Sequence, residues 1–329
     1  MVWFLECPLD LRLKTQVCAR LYYQSGFDVD SNTGRTDHAT VDFSKIGCFH
    51  LTYHRPLPED SSIKQIHLKK QKAGKWTVSI VVDYDSGCPE KPAVENIDSE
   101  NCVGIDLGIR SFVHDSDGKA VDRLDLSDDQ ERLEREQRSL SRKQHGSKNW
   151  ERQRCRVGEV HQRMTNRKDD FKHKLAHFYT REYDAVFVED LDVRGMLEAD
   201  GNARNKAEVG WRDFIRVLKH HGEKNGCHVK EVEPRGTTKE CASCGVSTWK
   251  PIWKREHSCP ACGFELDRDW NASVNVLSRG LNTLGVVHSE STPVETATAV
   301  DSVSVSASRV VETGSPALKE PPKAASRAG

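Results

Sequence analysis

Two CxxC pairs, Cys241-Ala242-Ser243-Cys244 and Cys259-Pro260-Ala261-Cys262, stand with residues 245–258 between them. No other feature restricts the chain as much. Each pair is followed by a glycine, Gly245 and Gly263, which lets the backbone turn tightly enough for its amides to approach the thiolates. This spacing signals a tetrahedral structural zinc site, and a closed shell of four cysteines leaves no open position for chemistry. A redox dithiol would need only one pair. Residues 237–265 are therefore expected to form a zinc ribbon on Cys241, Cys244, Cys259 and Cys262. The remaining cysteines are scattered and read as small apolar residues. An odd total of 11 in a chain of 329 residues speaks against a disulfide framework.

Around this ribbon the text alternates between strands and helices. Residues 43–85 read as a small β domain: GCFHLTY and SIKQIHLKK lead to a turn at Lys72-Ala73-Gly74-Lys75, and KWTVSIVVDYD then alternates with period two. Residues 86–100, rich in Pro, Ser and acids, read as a linker. CVGIDLGIRSFVHDSDGKAV follows as an apolar strand hairpin, and residues from about 127 to 181 have helical period, broken into two arms at Gly146 and Ser147. DAVFVEDLDV suits a buried strand, WRDFIRVLKHHGEKNG an amphipathic helix and CHVKEVEP a further strand. Strand hairpin, helices, strand, helix, strand is an α/β order. Residues 1–42 stay unassigned and irregular, and residues 285–329, without coherent period, read as a disordered tail.

Three carboxylates stand out in this frame. Asp106 interrupts the apolar run Val103-Gly104-Ile105-Asp106-Leu107, and Glu189 ends Val186-Phe187-Val188-Glu189. A carboxylate inside an apolar strand is unfavourable without a partner, and the carboxyl edge of a parallel sheet is where α/β folds present ligands. Asp267-Arg268-Asp269 opens a helical run, SVNVLSRGL, where an acid can equally be an N-cap. Three such groups can hold two Mg²⁺ ions about 4 Å apart against a phosphodiester. Magnesium-dependent phosphodiester hydrolysis is the reaction expected.

A net charge of −1 argues mildly against a nucleic-acid binder, but the distribution is uneven. Between the first two carboxylate strands, Arg142, Lys143, Lys148, Arg152, Arg156, Arg163, Arg167 and Lys168 outweigh Glu151, Glu159, Asp169 and Asp170, an electrostatic footprint for phosphate backbones. No apolar run is long enough to cross a bilayer. The opening MVWFLECPLDLRLK has the wrong order for a secretory signal, which points to the cytoplasm.

The segments HRPLPED, GIDLGIRSF, LSRKQHGSKNW, VFVEDLDVRGM, the cysteine ribbon and DRDWNASVNV together resemble TnpB, the OrfB-type protein of prokaryotic insertion sequences and a relative of the type V CRISPR effectors. The likeness runs from about Phe43 to Leu281. It implies an RNase H-like (RuvC-type) nuclease in two parts, residues 101–236 and 266–284, with inserted helical arms and the ribbon, preceded by a partial wedge-like β domain. It also implies Asp106, Glu189 and Asp269 as catalytic, with Asp269 preferred over Asp267 because the family's acid directly precedes the xNA step. Guide RNA and target DNA are the partners so implied. Family members usually carry a helical recognition domain near the start, and by this likeness that domain is expected to be missing here. The resemblance therefore leads us to expect weak or absent guided cleavage, with residual Mg²⁺-dependent activity on single-stranded DNA. A nuclease-inactive repressor, a strand-transferring transposase and a plain zinc-ribbon module are the competing readings.

Overall fold

The structure, a computed structural model, describes residues 2–5, 20–23, 26–30, 38–44, 47–52, 57–58, 60–85, 87–191, 210–251, 253–286 and 303–305. Two compact units divide the chain, one made of Met1–Gly87 and Leu126–Asn166, the other of Cys88–Asp125 and Arg167–Gly329.

The first unit holds a 7-stranded antiparallel sheet. Its strands are β1 (Val2–Leu5), β2 (Arg20–Tyr23), β3 (Phe27–Asp30), β4 (His38–Phe43), β5 (Gly47–Thr52), β6 (Ser62–Lys70) and β7 (Trp76–Asp83), in the order β2-β6-β7-β1-β5-β4-β3. The alternation expected in β6 and β7 buries Ile66, Leu68, Val78 and Ile80 against Val41, Phe43 and Leu51 of β4 and β5. The expected turn between them closes with the Gln71 N–H donating to the Lys75 carbonyl at 2.7 Å, and Gly74 takes φ 85°. Residues 1–42, expected to be irregular, instead supply β1 to β4. Strands of 4 to 6 residues are too short for a period to show in the text.

Helices α1 (Ser127–Ser141) and α2 (Lys148–Glu182) form the expected arms, broken where Gly146 takes φ 78° and the Ser147 hydroxyl accepts from the Trp150 N–H at 3.1 Å. Within the first unit the arms are held by Arg163 on buried Asp129 at 3.1 Å and by the Gln153 amide on the Glu136 carbonyl at 3.1 Å. Gly158 of α2 lies against the backbone of Lys72 and Ala73, where a Cβ would stand 2.8 to 2.9 Å from main-chain atoms.

In the second unit β8 (Cys102–Leu107), β9 (Ser111–Asp115) and β10 (Lys119–Asp122) make an antiparallel meander. β11 (Ala185–Glu189) joins β8 in parallel, and β12 (His228–Val232) joins β11 in parallel. Helix α3 (Trp211–Asn225) ends as expected at Gly226, with φ 74°. β13 (Glu256–Ser258) and β14 (Glu265–Asp267) form a short hairpin before α4 (Arg268–Leu284). The side-chain period of two divides the sheet. Val103, Ile105, Leu107, Val186 and Val188 face Phe171, Leu175, Trp211, Phe214 and Leu218 of α2 and α3. Cys102, Ala185 and Phe187 face Val276 and Leu281 of α4.

The expected linker is packed down within this unit. Ile97 is buried in the α4-side core, Lys91 pairs with Glu223 at 2.5 Å, and the His228 imidazole bonds the Pro92 carbonyl at 2.8 Å. Polar composition hid a strap anchored by buried Ile97 and partly buried Val94. Most of the expected disordered tail lies outside the described residues, but β15 (Val303–Val305) pairs in parallel with β10. No helix of the described residues is long and apolar enough to cross a membrane.

Candidate functional site

Parity puts two of the three expected carboxylates on one face. Ile105 of β8 sits opposite Val188 of β11 in a parallel register, so Asp106 and Glu189 follow one step on, at the carboxyl ends of neighbouring strands. Both leave the sheet on the side covered by α4. Each is buried, at 8% and 6% exposure. Burial pushes Asp106 well above the usual carboxylate range, and the charges of Glu189 and Asp269 add to it while Arg268 opposes. Burial likewise raises Glu189, against the pull of the Thr237 hydroxyl, which donates to its Oε1 at 2.5 Å, and of Arg279.

The third carboxylate arrives on the N-terminus of α4. Asp267 is the N-cap, its Oδ1 accepting from the backbone N–H groups of Asp269 at 2.8 Å and Trp270 at 3.2 Å. Asp269 is committed instead to cations, with Oδ1 on Arg268 at 2.8 Å and Oδ2 on Arg255 at 2.9 Å. The three carboxylates share one region through their mutual electrostatics, but they do not form a tight cluster. Among the described residues the set of carboxylate and imidazole atoms all within 4.8 Å of one another is His114, Asp267 and Asp269.

Several residues around these acids went unnoticed in the text. His114 lies on β9 directly opposite Asp106. The Asn271 side chain accepts from the Ala242 N–H at 3.0 Å and donates to the Glu240 carbonyl at 2.7 Å; Asn275 donates to the carbonyls of Thr237 and Glu240, both at 2.8 Å. These two side chains fasten the loop bearing Thr237 and the first cysteine pair to α4. The signal was available: asparagines inside a helix compete with its backbone and are kept there when they bond elsewhere.

All four expected cysteines converge, their sulfurs within 4.8 Å of one another. Cys241 and Cys262 stand 3.7 Å apart, Cys244 and Cys259 3.5 Å. Disulfide sulfurs would be about 2.05 Å apart, whereas a tetrahedron with metal–sulfur bonds of about 2.3 Å has edges near ~3.8 Å. The two knuckles are alike. Gly245 donates to the Cys241 carbonyl at 2.8 Å and Gly263 to the Cys259 carbonyl at 2.9 Å, and the two glycines take φ 74° and 75°. The backbone N–H of Cys262, aided by that of Ala261, pulls Cys259 down to about 6, while burial holds Cys241 up, so one sulfur of the set stands apart as the most readily ionised. The cluster can hold a metal ion such as zinc.

Of the basic arm residues, Arg142, Lys148, Arg152, Arg156 and Arg163 are exposed, and Lys143, Arg167 and Lys168 are half-buried. Arg163 is engaged by Asp129, and the Arg167 guanidinium donates to the Asp125 carbonyl at 3.1 Å. Arg135, Arg138, Ser139, Arg142 and Lys143 line a shallow cavity of about 380 Å³. Residues 127–166 of these arms cluster with the first unit and 167–181 with the second. A second feature, absent from the expectations, lies between the cysteine pairs: Trp249 and Trp253 are 78% and 84% exposed beside Lys250, Lys254 and Arg255.

Comparison with known proteins gives two family matches, OrfB_IS605 ("Probable transposase") over residues 80–200 and Cas12f1-like ("TNB domain") over residues 211–276. A Streptomyces pristinaespiralis protein named "Putative RNA-guided DNA endonuclease" is 35% identical over 70% of this chain and 56% of its own length. Escherichia coli (strain K12) "Putative RNA-guided DNA endonuclease InsQ" is 27% identical over 78% of this chain and 65% of its own. The chain thus spans less than two thirds of either relative. A chain of the cryo-EM structure of the Cas12f1-sgRNA-target DNA complex superposes with TM-score 0.45 at 16% identity, covering 78% of this chain and 59% of that one. The two family matches adjoin over the segments that carry Asp106, Glu189, Asp269 and the four cysteines, so along most of its length the chain is similar to OrfB-type transposases and to proteins named RNA-guided DNA endonucleases.

Proposed function

We propose that this chain is the core of a transposon-associated, RNA-guided DNA endonuclease with an RNase H-like (RuvC-type) site on Asp106, Glu189 and Asp269. The observation that carries the reading is the placement of Asp106 and Glu189 on one face of adjacent parallel strands, beneath the helix that carries Asp269 in its first turn. The sheet order, a three-strand meander with two parallel strands added at β8, supports the RNase H-like topology. Two buried carboxylates and a third on a helix start offer oxygen ligands of the kind a hard cation prefers, and closing of the three around an ion is part of this proposal. Asp106, Glu189 and Asp269 would hold magnesium there, which when bound would supply charge stabilisation to a phosphodiester and a more acidic water.

The chain's own groups prepare that site. Thr237 fixes one oxygen of Glu189, and its carbonyl is held in turn by Asn275 on α4. Arg268 and Arg255 balance the charge of Asp269. Cys241, Cys244, Cys259 and Cys262 would take zinc as a structural ion. Asn271 then couples that module to the helix bearing Asp269. The basic side chains at 142, 143, 148, 152 and 156 are suited to the guide RNA and target DNA backbones, and the β1–β7 sheet to the family's wedge domain.

The test is cleavage of end-labelled single-stranded DNA by the full chain in Mg²⁺, with Asp106→Ala as the partner variant. Magnesium-dependent cutting abolished by the substitution is expected. Cutting that survives it would overturn the assignment of the site.

A further inference from the structure

We propose that His114, Asp267 and Asp269 form a cation position with one nitrogen and two oxygen ligands, selective for Mn²⁺ over Mg²⁺. The proposal deepens the nuclease reading and rests on it for the ion's role, because Asp269 would be shared with the phosphodiester site. One ligand atom from each residue lies within 4.8 Å of the other two. Both ring nitrogens of His114 are buried and have no hydrogen-bond partner among the described residues, a state that calls for an ion or water to complete it. The register sets His114 opposite Asp106, at the hairpin edge that meets the start of α4.

The other two ligands have the capacity required. Asp267 caps α4 with Oδ1 alone, so Oδ2 is not needed for the cap. Asp269 keeps Arg268 on Oδ1, while Oδ2 meets Arg255, whose side chain is 44% exposed. Arg255 therefore stands where a bound cation would place its charge, and its long exposed arm can leave without disturbing the fold. Magnesium favours an all-oxygen octahedron and sheds water reluctantly. An imidazole in the set shifts preference toward softer divalent ions, of which Mn²⁺ also accepts carboxylates.

The experiment uses the full chain, zinc-loaded and carrying Asp106→Ala so that no nucleic acid is cut, with its histidines ¹⁵N-labelled. Mn²⁺ is titrated and pulsed EPR reads any imidazole nitrogen coupled to the ion. We expect coupling at one bound Mn²⁺, and its loss in His114→Gln and in the ring-sized His114→Phe. Mn²⁺ affinity should fall about tenfold in both while Mg²⁺ affinity stays the same. Zinc content and far-UV circular dichroism check that the variants fold. Mn²⁺ bound without nitrogen coupling, or coupling that persists in both variants, would sink the proposal. Failure of the undisturbed chain to cut DNA would instead count against the nuclease reading and leave the binding result readable.

Discussion

Gly104 of β8 and Ser273 of α4 touch through their backbones: a Cβ on Gly104 would run into the Ser273 carbonyl and the Leu277 N–H. Two residues along the strand lies Asp106, and four residues back along the helix lies Asp269. The helix can deliver its acid to the sheet only because the strand has no side chain here. Gly104→Ala should therefore push α4 away. Overpacking of this kind costs about 1–3 kcal/mol, which urea unfolding will report as a lower midpoint at unchanged slope. Nuclease activity should fall by more than the unfolded fraction explains.

The cysteine cluster gives the second prediction. Cys259→Ser removes one ligand from a set whose sulfurs lie within 4.8 Å of one another, and with it the lowered thiol. Elemental analysis of the purified chain should find about one zinc per molecule, and this variant should lose it. Since Asn271 ties Ala242 and Glu240 to α4, the loss should also lower the melting temperature of the second unit. A zinc-free variant that melts with the parent would show the ribbon to be an independent appendage.

Much of this was legible in the text, for reasons that can be named. Asp106 and Glu189 were visible because a carboxylate in an apolar strand violates the local pattern, and the cysteines because ligand spacing is short-range. Asp269 needed the family likeness, because Asp267 beside it makes an equally good cap by composition and only the geometry shows that it is the cap. His114 was not legible. Its neighbours at 267 and 269 are brought to it by the β8–β9 hairpin and by the seating of α4, which no local rule encodes. The strands of residues 1–42 were missed for want of length, and the strap at 88–101 because its polar letters outnumber the buried Ile97.

Asp115 gives the third prediction. Its side chain is fully buried; Oδ1 accepts from the N–H groups of Asp117 and Lys119, and Oδ2 from the Tyr179 hydroxyl at 3.0 Å. Burial outweighs these donors and lifts the group to about 6. A carboxyl raised in the folded state holds its proton there longer than in the unfolded chain. Its contribution to stability is thus fully present below the unfolded value near ~4 and is lost as pH rises through about 6. The loss is on the order of 3 kcal/mol at most. Asp115→Asn should remove this share. Urea midpoints at pH 4.5 and 6.5 should differ less in the variant than in the parent, with the variant the more stable at 6.5; parallel shifts would refute the assignment.

The last prediction concerns the two tryptophans between the cysteine pairs. Large indoles 78% and 84% exposed are unfavourable in water, and exposed Lys254 and Arg255 follow directly on the second of them. Aromatic faces beside cations are what an unpaired base can stack on, at about 1–3 kcal/mol per base and with little preference for sequence. Trp249→Ala and Trp253→Ala should each weaken binding of single-stranded DNA by roughly tenfold, measured by fluorescence anisotropy at fixed salt. Both should leave duplex binding almost unchanged, because paired bases keep their faces to themselves. A loss equal for single strands and duplex would mark the segment as a charge contact, with Lys254 and Arg255 as its active part.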